Sequence, residues 1–207
     1  MSFIRALLDV LFPPRSSSLG ISASTLESIG QHVSPTTEGM FTSLLPYRIP
    51  VVRSLIVEAK FHETSHAFRI LGSVLAEYLI TLEEESPFEE NLFVLVPVPL
   101  SKKRFRERGY NQVEQILVEA MKLLPDTFIL NTHLVRRVRD TTAQTSLGRS
   151  ARLRNMDEAF VVSDPINPRA TYIVIDDVAT TGATLTAVSA ALHEANSGSI
   201  LLVALAH

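Results

Sequence analysis

The chain has no cysteine. Disulfide frameworks and cysteine-ligated zinc sites are therefore excluded from its 207 residues. It also lacks an apolar run long enough to cross a membrane as a helix. Leu92–Leu100 is apolar but carries Pro97 and Pro99, and Ile200–Ala206 is short. The N-terminus, Met-Ser-Phe-Ile-Arg-Ala-Leu-Leu-Asp-Val-Leu-Phe, has one Arg, an early Asp and no small-residue cleavage site. It reads as an amphipathic helix rather than a secretory leader, so no membrane insertion and a cytoplasmic location are expected. There is no internal repeat and no serine or cysteine nucleophile motif. Hydrophobic content is 46%, ample for one domain with a small appendage.

Charge is unevenly spread. The net charge is −3, yet residues 102–108 hold five basic side chains and one acid, and residues 136–154 hold six arginines and one acid. Two basic islands in an otherwise acidic chain suggest local anion sites rather than a general nucleic-acid surface.

Along the chain, residues 13–46 are rich in Ser, Pro, Thr and Gly and read as a loop, linker or small irregular subdomain. From Pro50 to about Leu82, apolar residues recur at helical spacing. Phe93–Pro97 reads as a strand, Asn111–Leu124 as a helix stopped by Pro125, and Phe128–Leu134 as a strand. Residues 136–156 read as a long basic loop with a helical piece, followed by a short strand at Phe160–Ser163. A last strand is expected from Ser199 to Ala206. Strands alternating with helices imply an α/β, Rossmann-like fold with a mostly parallel sheet. The expected organisation is an irregular segment over 1–43 and one α/β domain over 44–207.

The richest run is Tyr172 to Thr184, Tyr-Ile-Val-Ile-Asp-Asp-Val-Ala-Thr-Thr-Gly-Ala-Thr. Residues 172–175 suit a strand buried on both faces. Asp176 and Asp177 are read as ending it, where vicinal sugar hydroxyls could donate to the carboxylates. Thr180-Thr181-Gly182-Ala183-Thr184 then offers three hydroxyls and the amides of a helix beginning near Ala183, a cradle for phosphate. Any one of these residues alone would be an ordinary cap. Together they point to a phosphorylated ribose, in the place where α/β sheets bind ligands.

Residues 96–112, Val-Pro-Val-Pro-Leu-Ser-Lys-Lys-Arg-Phe-Arg-Glu-Arg-Gly-Tyr-Asn-Gln, follow a strand and precede a helix. Two prolines stiffen the exit, and the segment reads as a basic loop. Lys102, Lys103, Arg104, Arg106 and Arg108 suit the concentrated charge of a pyrophosphate. Asn111 reads as an N-cap. Arg137, Thr141, Gln144, Arg152, Asn155 and Phe160 mix arginine with amide and hydroxyl groups over a length that fits a lid.

The run from Tyr172 to Thr184 resembles the signature of type I phosphoribosyltransferases, which bind phosphoribosyl pyrophosphate (PRPP). That resemblance implies that Asp176 and Asp177 hold the ribose hydroxyls. It assigns the 5′-phosphate to Ala179, Thr180, Thr181, Gly182, Ala183 and Thr184. Purine-salvage members carry an acid where this chain has Thr180, and a threonine cannot transfer that proton.

Pro97-Val98-Pro99-Leu100, Arg108-Gly109-Tyr110-Asn111-Gln112, Arg137…Thr141…Gln144 and Arg152…Asn155…Phe160 resemble one branch, the competence protein F family. Tyr47 and Lys60-Phe61 fit its upstream part, and Leu-Phe-Pro-Pro at 11–14 its usual start. The family usually has a cysteine-rich zinc finger after that start. Here Arg15 to Met40 has no cysteine, so no zinc is expected. The resemblance implies a transferase that displaces pyrophosphate from PRPP, with Mg²⁺ carried on PRPP. The alternative it leaves is a non-catalytic PRPP- or nucleotide-binding protein of DNA uptake, contacting single-stranded DNA or competence-machinery proteins. Only Phe105 and Tyr110 lie among the basic charges, a thin stacking platform.

His62-Glu63-Thr64-Ser65-His66 matches the H-E-x-x-H pattern of zinc peptidases. If helical, its two imidazoles would share one face with Glu63 as base. It is kept as a remote alternative.

Overall fold

The computed structural model describes residues 29–85, 92–138 and 159–207. Residues 1–28, with the expected N-terminal helix, lie outside them, as do Thr141, Gln144, Arg152 and Asn155.

A six-stranded sheet organises the molecule. Its strands are β1 (Thr36–Glu38), β2 (Phe41–Leu45), β3 (Phe93–Pro97), β4 (Phe128–Leu130), β7 (Thr171–Val178) and β8 (Ile200–Ala206). They lie in the order β1-β2-β8-β7-β3-β4. Every pairing is parallel except the β1–β2 hairpin. A separate antiparallel ribbon joins β5 (Val135–Arg137) to β6 (Phe160–Val162). Among the described residues five helices accompany the sheet: α1 (Pro50–Phe61), α2 (Ser65–Glu84), α3 (Lys102–Arg108), α4 (Gln112–Met121) and α5 (Ala183–Glu194). This is the expected mixed α/β architecture with a mostly parallel, Rossmann-like sheet.

β7 is central because both its faces are apolar. Side chains alternate across a strand. Ile173 and Ile175 therefore join the core under α1, α2 and α4, and Tyr172 and Val174 join the core under α5 and the ribbon. All four are nearly inaccessible to solvent, and burying each branched or aromatic side chain stabilises the fold by roughly 1.5–3 kcal/mol. α2 and α4 pack closely at Gly72, where a Cβ would come 2.8 Å from the Cβ of Glu119.

The structure corrects several sequence-based expectations. Residues 36–45, read as loop, form β1 and β2, and β2 crosses the boundary drawn between 43 and 44. β2 is a strand because β8 offers it a parallel partner, with Thr42 opposite Val203 and Leu45 opposite Ala206. The helical stretch from Pro50 is two helices, broken where Glu63 takes a left-handed φ of 51°. Residues 102–108 are helical rather than a loop. The Ser101 hydroxyl accepts from Arg104 N at 3.2 Å, and Gly109 closes the helix at φ 84°. Of the strand expected over 128–134 only Phe128–Leu130 forms, as β4; residues 131–134 are not strand, and β5 begins after them in a different sheet. β7 also runs through both aspartates instead of stopping at them, since Asp176 pairs with Ala204 and Val178 with Ala206.

Candidate functional site

The C-terminal end of β7 sets the geometry. Asp176 and Asp177 are consecutive residues of one strand, so their side chains leave on opposite faces. The sequence reading had them share one ligand, but strand geometry gives them different surroundings.

Asp177 points towards the α1/α4 face and is only 5% exposed. Its Oδ1 lies 3.1 Å from Lys60 Nζ, at the end of α1. Its Oδ2 accepts a hydrogen bond from Gln112 Nε2, at the start of α4. Gln112 Oε1 in turn accepts from Arg108 Nη1 at 2.7 Å. The Arg108 guanidinium also lies over the Phe61 ring, 5.2 Å from its centroid. Burial lowers the Arg108 pKa from its ordinary value, opposed by the Asp177 charge. An arginine stays charged through such a shift, so the network carries two cations against one carboxylate. A buried carboxylate needs such partners to remain ionised.

Asp176 points the other way, into a small cleft of about 60 Å³ shared with Ala179 through Thr184. Its Oδ1 accepts from the Asp177 amide at 2.8 Å, and part of its surface stays open to solvent. Burial first, and then the Asp177 charge, push its carboxyl pKa up to about 7. The Asp177 amide, Lys60 and Arg104 oppose that rise. Asp176 is thus a carboxylate poised to change protonation near neutrality or when a cation approaches.

Residues 179–182 form the turn from β7 to α5. Gly182 takes a left-handed φ of 70° at the N-cap of α5. Thr180 and Thr181 are exposed, Ala183 and Thr184 half-buried, and Ala179 and Gly182 buried. The Thr181 hydroxyl already accepts from Ala183 N at 3.4 Å, a long bond that a better acceptor could displace. The Thr186 hydroxyl donates to Gly182 O at 3.0 Å and pins the first turn. The helix start presents unpaired amides and the positive end of its dipole.

α3 divides its five cations between its faces, because residues four apart share a side. Lys102 and Arg106 line a cleft of about 510 Å³ with Pro99, Phe105, Asn111 and Glu114. Arg104 is close enough to act electrostatically on Asp176, and Arg108 turns inward to Gln112. Lys103 is exposed. The larger cleft includes no residue of the Asp176–Thr184 run, so size alone does not make it the site. Asn111 is the expected N-cap, its Oδ1 accepting from Val113 N at 3.1 Å.

Arg137 ends β5 opposite Phe160, with its guanidinium 5.4 Å from that ring's centroid. The H-E-x-x-H segment does not form one helical face. His62 caps the end of α1, Glu63 is left-handed with its amide on Tyr110 Oη, and His66 lies in α2. The zinc-peptidase alternative is overturned by that break. Among the described residues, no group of three or more His, Asp or Glu is placed to hold a metal ion.

Four further residues shape the site. Lys60 and Gln112 hold Asp177. Phe41 packs on Gly182, and the His207 ring donates through Nδ1 to Ala179 O at 2.9 Å. Lys60 and Gln112 sat inside motifs quoted above. Phe41 and His207 gave no signal, because tertiary pairing alone brings them to the turn.

No family model matches this chain. It is similar to competence protein F of Haemophilus influenzae, with 30% identity over 154 residues, covering 73% of this chain and 66% of that protein. The chain belongs to the competence protein F family. Within that family it is also similar to competence protein ComFC of Streptococcus pneumoniae, at 34% identity over 128 residues. That match covers 62% of this chain and 52% of the relative. DNA utilization protein YhgH of Escherichia coli K12 is 33% identical over 91 residues, 44% of this chain and 39% of that protein. The chain therefore spans about two thirds or less of the length of these family relatives. No helix among the described residues is long and apolar enough to cross a membrane.

Proposed function

We propose that this protein binds PRPP with Mg²⁺ through a phosphoribosyltransferase-type site. It transfers the phosphoribosyl group with release of pyrophosphate, in a pathway of DNA uptake and competence. The observation that carries the reading is one cleft at the end of the central parallel strand. It combines the Asp176 carboxylate with the threonine-rich start of α5. Asp176 accepts from the ribose hydroxyls. The α5 amides and the hydroxyls of Thr180, Thr181 and Thr184 take the 5′-phosphate. Arg104, with the other exposed cations of α3, faces the leaving pyrophosphate. Asp177 keeps Lys60 and Gln112 in position. An oxocarbenium-like transition state builds positive charge beside these carboxylates, which stabilise it without moving.

The donor set fits magnesium arriving on the ligand. Asp176 is half-open and makes no ion pair, and Mg²⁺ binds through one or two carboxylates plus phosphate oxygens. The ion would neutralise pyrophosphate charge. The competence role rests on the relatives' names, two of which are competence proteins and one a DNA utilization protein.

Calorimetric titration with PRPP and Mg²⁺ tests the reading, with Asp176→Asn/Asp177→Asn as the control. Saturable binding in the wild type that is lost in a folded double variant supports it. A folded wild-type protein that binds nothing refutes it. A second reading, a non-catalytic binder of single-stranded DNA, is favoured by exposed Lys102, Lys103, Arg104 and Arg106 around half-exposed Phe105. It predicts DNA affinity that falls steeply with salt, without pyrophosphate release.

A further inference from the structure

Across β7 from β3 in the strand order, where β2 and β8 end, lies a second cleft of about 380 Å³. Three hydroxyl residues, Ser34, Thr36 and Ser43, line it, with Arg48 and His207. No carboxylate is among its lining residues.

Ser43 is the informative member. It is 6% exposed, in a strand, and its hydroxyl makes no hydrogen bond among the described residues. That hydroxyl opens to the cleft instead of being sealed in the core, so it is free to donate to a ligand bound there. Thr36 lies directly opposite Ser43 in the hairpin register. The Thr36 hydroxyl spends its proton on Ser34 O at 3.0 Å, so it offers a lone pair. Arg48 is exposed and forms no ion pair with another described residue. His207 donates through Nδ1 to Ala179 O, which leaves Nε2 without a protein partner. One exposed cation without an acidic partner, a donor hydroxyl held in a strand and no competing carboxylate suit an anion rather than a metal.

We propose that this cleft is an oxyanion-binding site for the carboxylate or phosphate of a small molecule. Arg48 supplies charge and Ser43 a rigid donor, and Thr36 accepts from a hydroxyl on the same ligand. His207 bonds to the first residue of the turn that opens the Asp176 cleft, and its ring meets Phe41 edge-on at 5.6 Å. An occupied cleft therefore holds the residues that brace that turn. The site stands apart from the sugar-phosphate reading, and failure of PRPP to bind leaves its test intact.

The test is a titration followed by NMR, with inorganic phosphate and acetate as separate probes, reading the Ser43 amide and the His207 ring. Wild type is compared with Ser43→Ala, Arg48→Ala and Thr181→Ala. The expected result is saturable binding that Ser43→Ala and Arg48→Ala each weaken about tenfold or more, as removal of a charge-assisted bond does. Thr181→Ala leaves those signals unchanged. Ser43→Ala leaves the melting temperature close to that of the wild type while losing affinity, which a purely structural serine would not do. Tighter phosphate or tighter acetate supports the site equally and identifies the group. Three results overturn it: neither probe saturating, wild-type affinity retained in the Ser43 and Arg48 variants, or loss only in Thr181→Ala. The last would assign the anion to the α5 turn.

Discussion

Gly182→Ala is the sharpest perturbation of the site, because two physical effects converge on one atom. At φ 70°, an alanine would occupy the left-handed region, which costs an L-residue roughly 1–2 kcal/mol. Its Cβ would also stand 2.7 Å from Cδ1 and 2.8 Å from Cε1 of Phe41. Relieving that overlap shifts the ring or the turn, at roughly 1–3 kcal/mol for an overpacked core contact. The sum is about 3 kcal/mol, or about 6–12 °C in melting temperature for a chain of this size. Thermal unfolding read by circular dichroism and by calorimetry measures it.

A double-mutant cycle separates the two effects. Phe41→Leu removes the ring atoms that the new methyl would strike but leaves the φ penalty. In that background Gly182→Ala should cost only about 1–2 kcal/mol, giving a favourable coupling of about 1 kcal/mol or more. Strict additivity would refute the steric half of the reasoning. An unchanged melting temperature in the single variant would refute both halves.

Other consequences follow from the same geometry. Lys60→Met leaves the Asp177 carboxylate without its cation and should destabilise the protein by about 2–3 kcal/mol, less than a fully buried pair because Lys60 is partly exposed; denaturant unfolding checks this. The Asp176 carboxyl binds its proton more tightly folded, near 7, than its ordinary value of 3.8. Its contribution to stability is therefore present below pH 3.8 and is lost as pH rises towards 7. Asp176→Asn should remove that loss, gaining on the order of 2 kcal/mol at pH 7 relative to pH 4 after allowance for its partial exposure. A parallel shift of both stability–pH curves would count against it. Mg²⁺-dependent ligand binding should weaken in the wild type below about pH 7, as Asp176 takes up its proton. Asn111→Ala removes a buried N-cap that also donates to Val98 O at 3.1 Å. It should cost about 2 kcal/mol, visible as faster exchange of the α4 amides.

Much of this architecture was legible in the chain. The branched run at 172–175 announced a doubly buried strand, and the Thr-Thr-Gly-Ala-Thr that follows announced a turn into a helix. Local chemistry fixes both, since β-branched residues favour strands and a glycine permits the left-handed N-cap. Asn111 as a cap was readable for the same reason. Tertiary structure alone decided the rest. Residues 36–45 look like a polar loop until β8 supplies a hydrogen-bonding edge. Asp176 and Asp177 look like the end of the strand until β8 pairs with residues on through Val178 and the pleat sets the two carboxylates on opposite faces. Lys60 and Gln112 reach Asp177 from α1 and α4, while Phe41 of β2 and His207, just past β8, reach the turn. Those contacts span long sequence separations, so no local window contains them. The sequence therefore specified which groups are available for chemistry. The sheet order specified which of them meet, because pairing partners and side-chain faces are set only when the whole sheet assembles.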